Sequence, residues 1–332
     1  MKAKTRYRCI LAGGIAVCFA VTAMSLMLGN IRFSFADIIN ILTGSEGSAA
    51  RYILIYSRIP RTLACLLAGS ALSVSGAVLQ NVLSNKLASP GIIGVNAGAG
   101  LGVTVCCACG IFSGAAVSAA AFSASLITVL AISVFARSAS ASKTTVILGG
   151  VALNSILGAI SESVSVLTPD AAMLTTEFRV GGFSSISYTR LLPASVMIIT
   201  ALILLFSLSN ELDVISLGDE TAQSVGLSVK KYRILFLILS ALLAGAAVSF
   251  AGLLGFIGLI IPHLVRKLVG GESRKLLPLC SVIGAGFVCM CDLAARLLFA
   301  PYELPVGIIM SIVGGPVFVI LLIHLRGGHR HA

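Results

Sequence analysis

The chain of 332 residues is 58% hydrophobic and only 11% charged, with 34 glycines and a formal net charge of +11. A soluble domain carries roughly 25% charged residues, so this composition excludes an ordinary soluble enzyme and a disordered chain. On a soluble chain the basic excess would point to nucleic acid; on one this apolar it points instead to loops on the cytoplasmic side of a membrane, and no nucleic-acid partner is expected.

A helix needs about 20 apolar residues to cross a bilayer, and the pattern predicts ten spans: 9–28, 61–81, 91–110, 115–135, 145–167, 191–209, 233–252, 254–268, 277–299 and 305–325. The expected fold is therefore an all-α polytopic membrane protein of one domain, residues 1–332. The first span follows Met-Lys-Ala-Lys-Thr-Arg-Tyr-Arg, but its apolar stretch exceeds the roughly 7–15 residues of a signal peptide, so it is read as a retained helix.

With both termini inside, the inner loops and helix ends hold 16 of the 23 basic residues against five acids, Glu211, Asp213, Asp219, Glu220 and Glu272. The opposite orientation would place that excess on the wrong side. The expected location is thus the plasma (inner) membrane, with cytoplasmic termini. Two outer connections, 29–60 and 168–190, and one inner loop, 210–232, interrupt the helices. Trp is absent, so an interfacial belt must rely on Tyr, Arg and Lys.

Glycines break the apolar pattern twice, at Gly91, Gly94, Gly98 and Gly102 and again at Gly252, Gly255 and Gly258. Small residues at such spacing let helices approach closely. Paired broken segments in two halves also hint at an inverted repeat around a central path.

Chemistry for catalysis is missing. No G-x-x-x-x-G-K-[ST] phosphate cradle occurs, nor an H-E-x-x-H, and His263, His324, His329 and His331 form no ligand set. Cys106 and Cys109 make a C-x-x-C without a second pair, so the nine cysteines are read as small apolar packing groups rather than metal or redox sites. No metal and no cofactor are expected on this chain. Two transport readings remain: a carrier powered by a partner ATPase, and an ion-coupled secondary transporter. The ionisable residues in spans, Glu162, Asp292 and Arg296, lie toward the outer side rather than at the midplane, which leans away from ion coupling.

A short helix is expected from Asp219 to Val225, with acids at its start and Gly226 as a left-handed cap. The resemblance of the chain is carried by motifs along nearly its whole length. They are Arg58-Ile-Pro-Arg61, Ser75-Gly-Ala-Val-Leu-Gln80, Asn85-Lys-Leu-Ala-Ser-Pro-Gly91, Leu148-Gly-Gly-Val-Ala-Leu153, Leu217-Gly-Asp-Glu-Thr-Ala222 with Val225-Gly-Leu227, Gly255-Phe-Ile-Gly258 through Pro262-His263 to Arg266, Asp292-Leu-Ala-Ala-Arg296 and Glu303-Leu-Pro-Val-Gly307. In order and spacing they resemble the FecCD/BtuC-type permeases, which import iron–siderophores, haem and vitamin B12. Lys86, where the family usually has proline, and Phe178, where Trp is frequent, depart from the pattern.

The resemblance implies a type II ABC importer permease fold, used as a homodimer with two ATPase subunits that bind ATP and Mg, an extracytoplasmic binding protein, and a metal chelate as cargo, ferric siderophore first. It implies docking of the binding protein at Arg58, Arg61 and Arg296; the bland alternative pairs Arg296 with Asp292 and leaves Arg58 and Arg61 to lipid headgroups. It implies ATPase coupling through Gly218, Asp219, Glu220, Ala222, Val225 and Gly226, the short helix presenting Ala222 and Val225 as a small apolar face for a partner's groove, with Arg266 and with His263, which either flanks the ATPase contact or braces its helix. Ser142, Lys143 and Thr144 match an inner gate in position, and Gln80, Asn85 and Glu162 are assigned to the pathway.

Overall fold

The computed structural model describes residues 2–29, 31–44, 48–138 and 143–327. Among these, the regular structure is entirely helical. In chain order the helices are α1 (Lys2–Met27), α2 (Phe35–Leu42), α3 (Ser48–Tyr52), a π-helical turn (Ile53–Arg58), α4 (Ile59–Val82), α5 (Val95–Ala108), α6 (Gly114–Ser138) and α7 (Lys143–Leu167). There follow α8 (Pro169–Val180), α9 (Tyr188–Ser207), α10 (Ser209–Ser216), α11 (Asp219–Ser224), α12 (Val229–Ala251), α13 (Ile257–Val269), α14 (Ser273–Leu297) and α15 (Val306–Gly327).

Each predicted span falls on one helix. Among the described residues, seven helical segments are long and apolar enough to cross a membrane. The third and eighth spans are shorter than expected, because their glycine-rich starts are turns. Gly94 (φ +88°) and Phe256 (φ +66°) are left-handed residues at the N-caps of α5 and α13. At about 1.5 Å per residue, the 14 residues of α5 and the 13 of α13 are too short to cross a bilayer core of about 30 Å. Phe256 holds a conformation costly for a bulky side chain, and its ring packs beside Phe318 with centroids 6.4 Å apart. A Cβ on Gly314 would meet Phe256 at 2.7 Å.

The core is built on α4. The most apolar window of its span is 78% buried, as is that of α12, against 11% for α1 and 17% for α7. α4 lies against α12, α13 and α14, and small residues permit the approach. A Cβ on Gly69 would sit 2.2 Å from the Gly284 carbonyl oxygen of α14, and one on Gly76 would sit 2.0 Å from that of Gly258 in α13. At such range serine hydroxyls reach the neighbouring backbone: Ser73 donates to Cys280 O at 2.7 Å, and Ser75 to Ser240 O at 2.8 Å.

A second junction joins three interrupted segments through backbone hydrogen bonds. The Gly182 amide donates to Ala251 O (2.9 Å), that of Leu253 to Phe178 O (2.9 Å) and that of Gly307 to Gly181 O (3.3 Å). The ends of α8 and α12 and the start of α15 thereby form one seam.

Candidate docking and coupling sites

At the end of the bundle where α1 finishes, four charged side chains from three segments meet. Arg61, in the first turn of α4, donates through Nη2 to Asp292 Oδ1 at 3.0 Å and through Nη1 to Glu303 Oε2 at 2.6 Å. Arg296, one turn beyond Asp292 on α14, sets Nε 3.1 Å from Asp292 Oδ2. Asp292 is fully buried, and a buried carboxylate is tolerated only when paired and hydrogen-bonded; here two guanidinium groups share it.

Arg58 and Arg296 are also buried, and both turn toward the last turn of α1. Arg58 Nη1 donates to Leu26 O at 2.6 Å and Nη2 donates to Ile31 O, with its guanidinium carbon 4.5 Å from the centre of the Phe33 ring. Arg296 reaches Ser25 Oγ at 2.7 Å and Leu28 O at 3.4 Å. A helix C-terminus leaves carbonyls unpaired and carries partial negative charge, so α1 supplies the counterpart for two cations. The three arginines are thus brought to one place, but Arg58 and Arg296 are directed inward. The alternative expectation for Arg296 is met by its contact with Asp292, while Arg58 and Arg61 have protein partners.

The opposite end carries α11, the segment expected to couple to the ATPase. Asp219 and Glu220 open α11, and Asp219 pairs with Arg233 of α12 at 2.6 Å. Gly226 (φ +82°) closes it: its amide donates to Gln223 O at 2.9 Å, and that of Leu227 donates to Ala222 O at 3.0 Å. These paired bonds form a Schellman end. Gly218 (φ +113°) makes the turn before the helix. One expectation is corrected. Ala222 is fully buried and anchors α11 inward, so the outward apolar face comes from Val225 and Leu217, which are 69% and 68% exposed.

The same end carries a polar network between α4, α13 and α14. Arg266 of α13 donates to Gln80 Oε1, to Asn81 Oδ1 at 2.7 Å and to Ala77 O at 3.4 Å. Gln80 in turn donates to Gly258 O at 3.0 Å, and Asn81 donates to Ser273 Oγ at 3.2 Å. Gln80 therefore braces α4 against α13, and the guanidinium of Arg266 is held inside the chain. His263 is buried on α13.

The remaining assigned residues are not brought together. Asn85 accepts from the Leu87 amide at 2.9 Å in its own turn, and Lys86 beside it is exposed. Glu162 is exposed and sits 3.5 Å from Arg179. Ser142 lies outside the described residues; Lys143 begins α7, and Thr144 is exposed on its first turn. A cleft of about 380 Å³ opens between the seam and the arginine cluster, lined by Arg61, Phe178, Phe183, Arg190 and Glu303 among others. Phe178 thus sits in its wall. Among the described residues no three His, Cys, Asp or Glu side chains converge in a way that would hold a metal ion.

Sequence reading overlooked two participants, Glu303 and Asp213. Glu303 stands in a quoted motif, so its signal was present. The amide of Ser273, at the start of α14, donates to both oxygens of Asp213 at 2.9 and 3.2 Å, a contact across 60 residues for which the sequence has no local signal.

The helical bundle, with seven segments long and apolar enough to cross a membrane among the described residues and charged clusters at its two ends, has the form of a membrane translocation subunit. The profile of the FecCD transport family matches residues 17–324; the chain belongs to this family and is a permease subunit of an ABC importer. It is 37% identical over 293 residues to an uncharacterized ABC transporter permease protein, YvrB, of Bacillus subtilis, covering 86% of this chain and 83% of that one. It is 32% identical to the hemin transport system permease protein HmuU of Yersinia pestis, covering 96% of each. A solved structure described as an inward-facing conformation of a metal-chelate type ABC transporter superposes with a TM-score of 0.86 at 28% identity, covering 95% of this chain and 99% of that one. Permeases of this family work with a separate ATPase and a substrate-binding protein.

Proposed function

We propose that the chain carries an iron chelate, a ferric siderophore or haem, inward through a homodimer driven by two ATPase subunits that bind ATP and Mg. The similarity to a hemin permease over 96% of both chains carries the cargo class. The exposed apolar residues Leu148, Val151, Ile156 and Ile160 of α7 supply a face for the second copy or for lipid. Cytoplasmic termini are supported by the concentration of basic residues on one side. In this orientation α11 faces the ATPase, with Gly218, Asp219, Glu220, Val225 and Gly226 forming and presenting its end, while Arg266, held by Gln80 and Asn81, and His263 brace α13 on the same side. The Arg61 cluster faces the binding protein, whose carboxylates compete with Glu303 for Arg61.

An ion-coupled carrier is the less favoured reading, because Asp292 is already shared by two arginines and Glu162 is exposed beside Arg179. Reconstitution with the ATPase and binding protein decides between them. Uptake of ferric siderophore or haem into vesicles should require ATP on the ATPase side and survive an ionophore. Uptake that needs no ATP and collapses with the ionophore overturns the proposal.

A further inference from the structure

The two most closely packed helices of the bundle are also tied at both ends. At one end Arg61 of α4 pairs with Asp292 of α14 at 3.0 Å; at the other, Asn81 of α4 donates to Ser273 Oγ of α14 at 3.2 Å. Between these ties lie the Gly69–Gly284 approach and the hydrogen bond from Ser73 to Cys280 O. The 25 residues of α14 extend about 37 Å at 1.5 Å per residue. The pair is therefore a strut running from the arginine cluster to the coupling end.

The lower end of the strut is held by Asp213. Glu272 occupies the N-cap of α14 but makes no side-chain cap hydrogen bond, leaving the first amide to another acceptor. Asp213 lies on α10, which is anchored by the fully buried Leu212 and Ile215 and is separated from α11 by Leu217 and Gly218 alone. Its carboxylate accepts from the Ser273 amide with both oxygens, and an anion there also suits the positive end of the helix dipole.

We infer that Asp213 is a positioning residue that joins the coupling segment to the α4–α14 strut, so that ATPase movements at α11 and binding-protein docking at Arg61 are sensed through the same rigid pair. α11 and α10 form one short lever, and the cap at Ser273 is a polar grip of that lever on the strut. Loss of that grip leaves α11 in place, anchored by Ala222 and by the pair of Asp219 with Arg233, and leaves α10 to hold the strut through apolar packing without the directional bond.

This inference rests on the ABC-permease reading, and the test separates the two. The complete complex of permease, ATPase and binding protein is placed in vesicles, and ATP hydrolysis is measured with and without loaded binding protein. Asp213→Ala should reduce the ratio of stimulated to unstimulated hydrolysis by about fivefold or more, the lower range of a coupling between sites. Asp213→Asn keeps an oxygen acceptor suited to a cap and should restore most of the ratio.

With Ser273→Ala as the control for losing the Oγ that accepts from Asn81, Ser273→Pro removes the amide donor from the other side, at a first helical position where proline is favoured. It should reproduce the Asp213→Ala loss, and the double variant should be no worse than either single one. Membrane level and ATPase association, assayed by co-purification, should stay near normal. A wild-type complex whose ATP hydrolysis does not respond to loaded binding protein sinks the permease reading. A responsive wild type with an equally responsive Asp213→Ala overturns the role of Asp213, and so does an Asp213→Asn variant as impaired as the alanine.

Discussion

Arg61 and Glu303, 242 positions apart in the chain, sit with Nη1 and Oε2 2.6 Å apart at the edge of the cleft. The pair is unequal: the Arg61 side chain is 11% exposed and that of Glu303 34%, so an approaching carboxylate can displace Glu303 while Asp292 keeps its hold beneath.

Docking should follow from that asymmetry. Arg61→Glu sets a third acid beside Asp292 and Glu303 and should weaken binding-protein affinity roughly tenfold, about 1.4 kcal/mol, with the difference shrinking at high salt. Glu303→Gln removes the internal competitor and should strengthen the same complex. Surface plasmon resonance against the immobilised permease checks both signs; equal affinities for the two variants and the parent would mean that Arg61 takes no part.

The contact between Gly69 and Gly284 leaves no room for a methyl group. Gly69→Ala would place its Cβ 2.2 Å from a backbone oxygen and 2.9 Å from Ala285 Cα, and overpacking of this kind costs about 1–3 kcal/mol. The detergent-solubilised protein should melt several degrees lower. Gly13→Ala on α1, where nothing lies within 4 Å, should hold or raise the melting temperature. Similar melting for the two would contradict the packing.

At Gly226 the space is open, with nothing within 4 Å of a Cβ, but φ is +82°. The cost of substitution is therefore conformational, roughly 1–2 kcal/mol for a residue with a Cβ in the left-handed region. Gly226→Val should loosen the end of α11, lower transport and weaken ATPase co-purification at a normal membrane level. Gly226→Asn, a residue that tolerates this conformation, should recover much of the loss. Identical transport in the valine variant and the parent would reduce α11 to a connector.

The short helix α2 begins with a capping box, in which Ser34 and Asp37 each bond the other's backbone amide. The hydrogen bond from the Ser34 amide holds the Asp37 carboxyl below the ordinary aspartate value of 3.8. A depressed carboxylate pKa stabilises the folded form above the unfolded value, and that contribution is lost as pH falls through the folded value. Hydrogen exchange across residues 34–42, corrected for intrinsic rates, should therefore accelerate below about pH 4. The acceleration should be absent in Asp37→Asn.

The spans were legible because about 20 apolar residues between charged loops is a local signal, and so was the end of α11, since a glycine after a short helix specifies its cap. What escaped depends on distant partners. The inward turn of Arg58 requires the π-helical turn Ile53–Arg58 and the carbonyls of α1. The recruitment of Arg266 by Gln80 and Asn81 links positions about 185 apart. Burial of Ala222 reverses a face that its small apolar side chain made equally suitable for a partner. In each case residue type stated which interaction was affordable, and only the packing of helices far apart in sequence decided which one formed.

The seam between α8, α12 and α15 is made by backbone groups of Phe178, Gly181, Gly182, Ala251, Leu253 and Gly307. Bonds of that kind are indifferent to the side chains around them, provided the crowded glycines stay. Residues such as Phe112 and Phe178 that line the neighbouring cleft are thus free to drift in size and polarity without unfastening the joint. The architecture separates what must be inherited from what can be retuned, which lets one scaffold diversify its mouth without a matching loss of foldability.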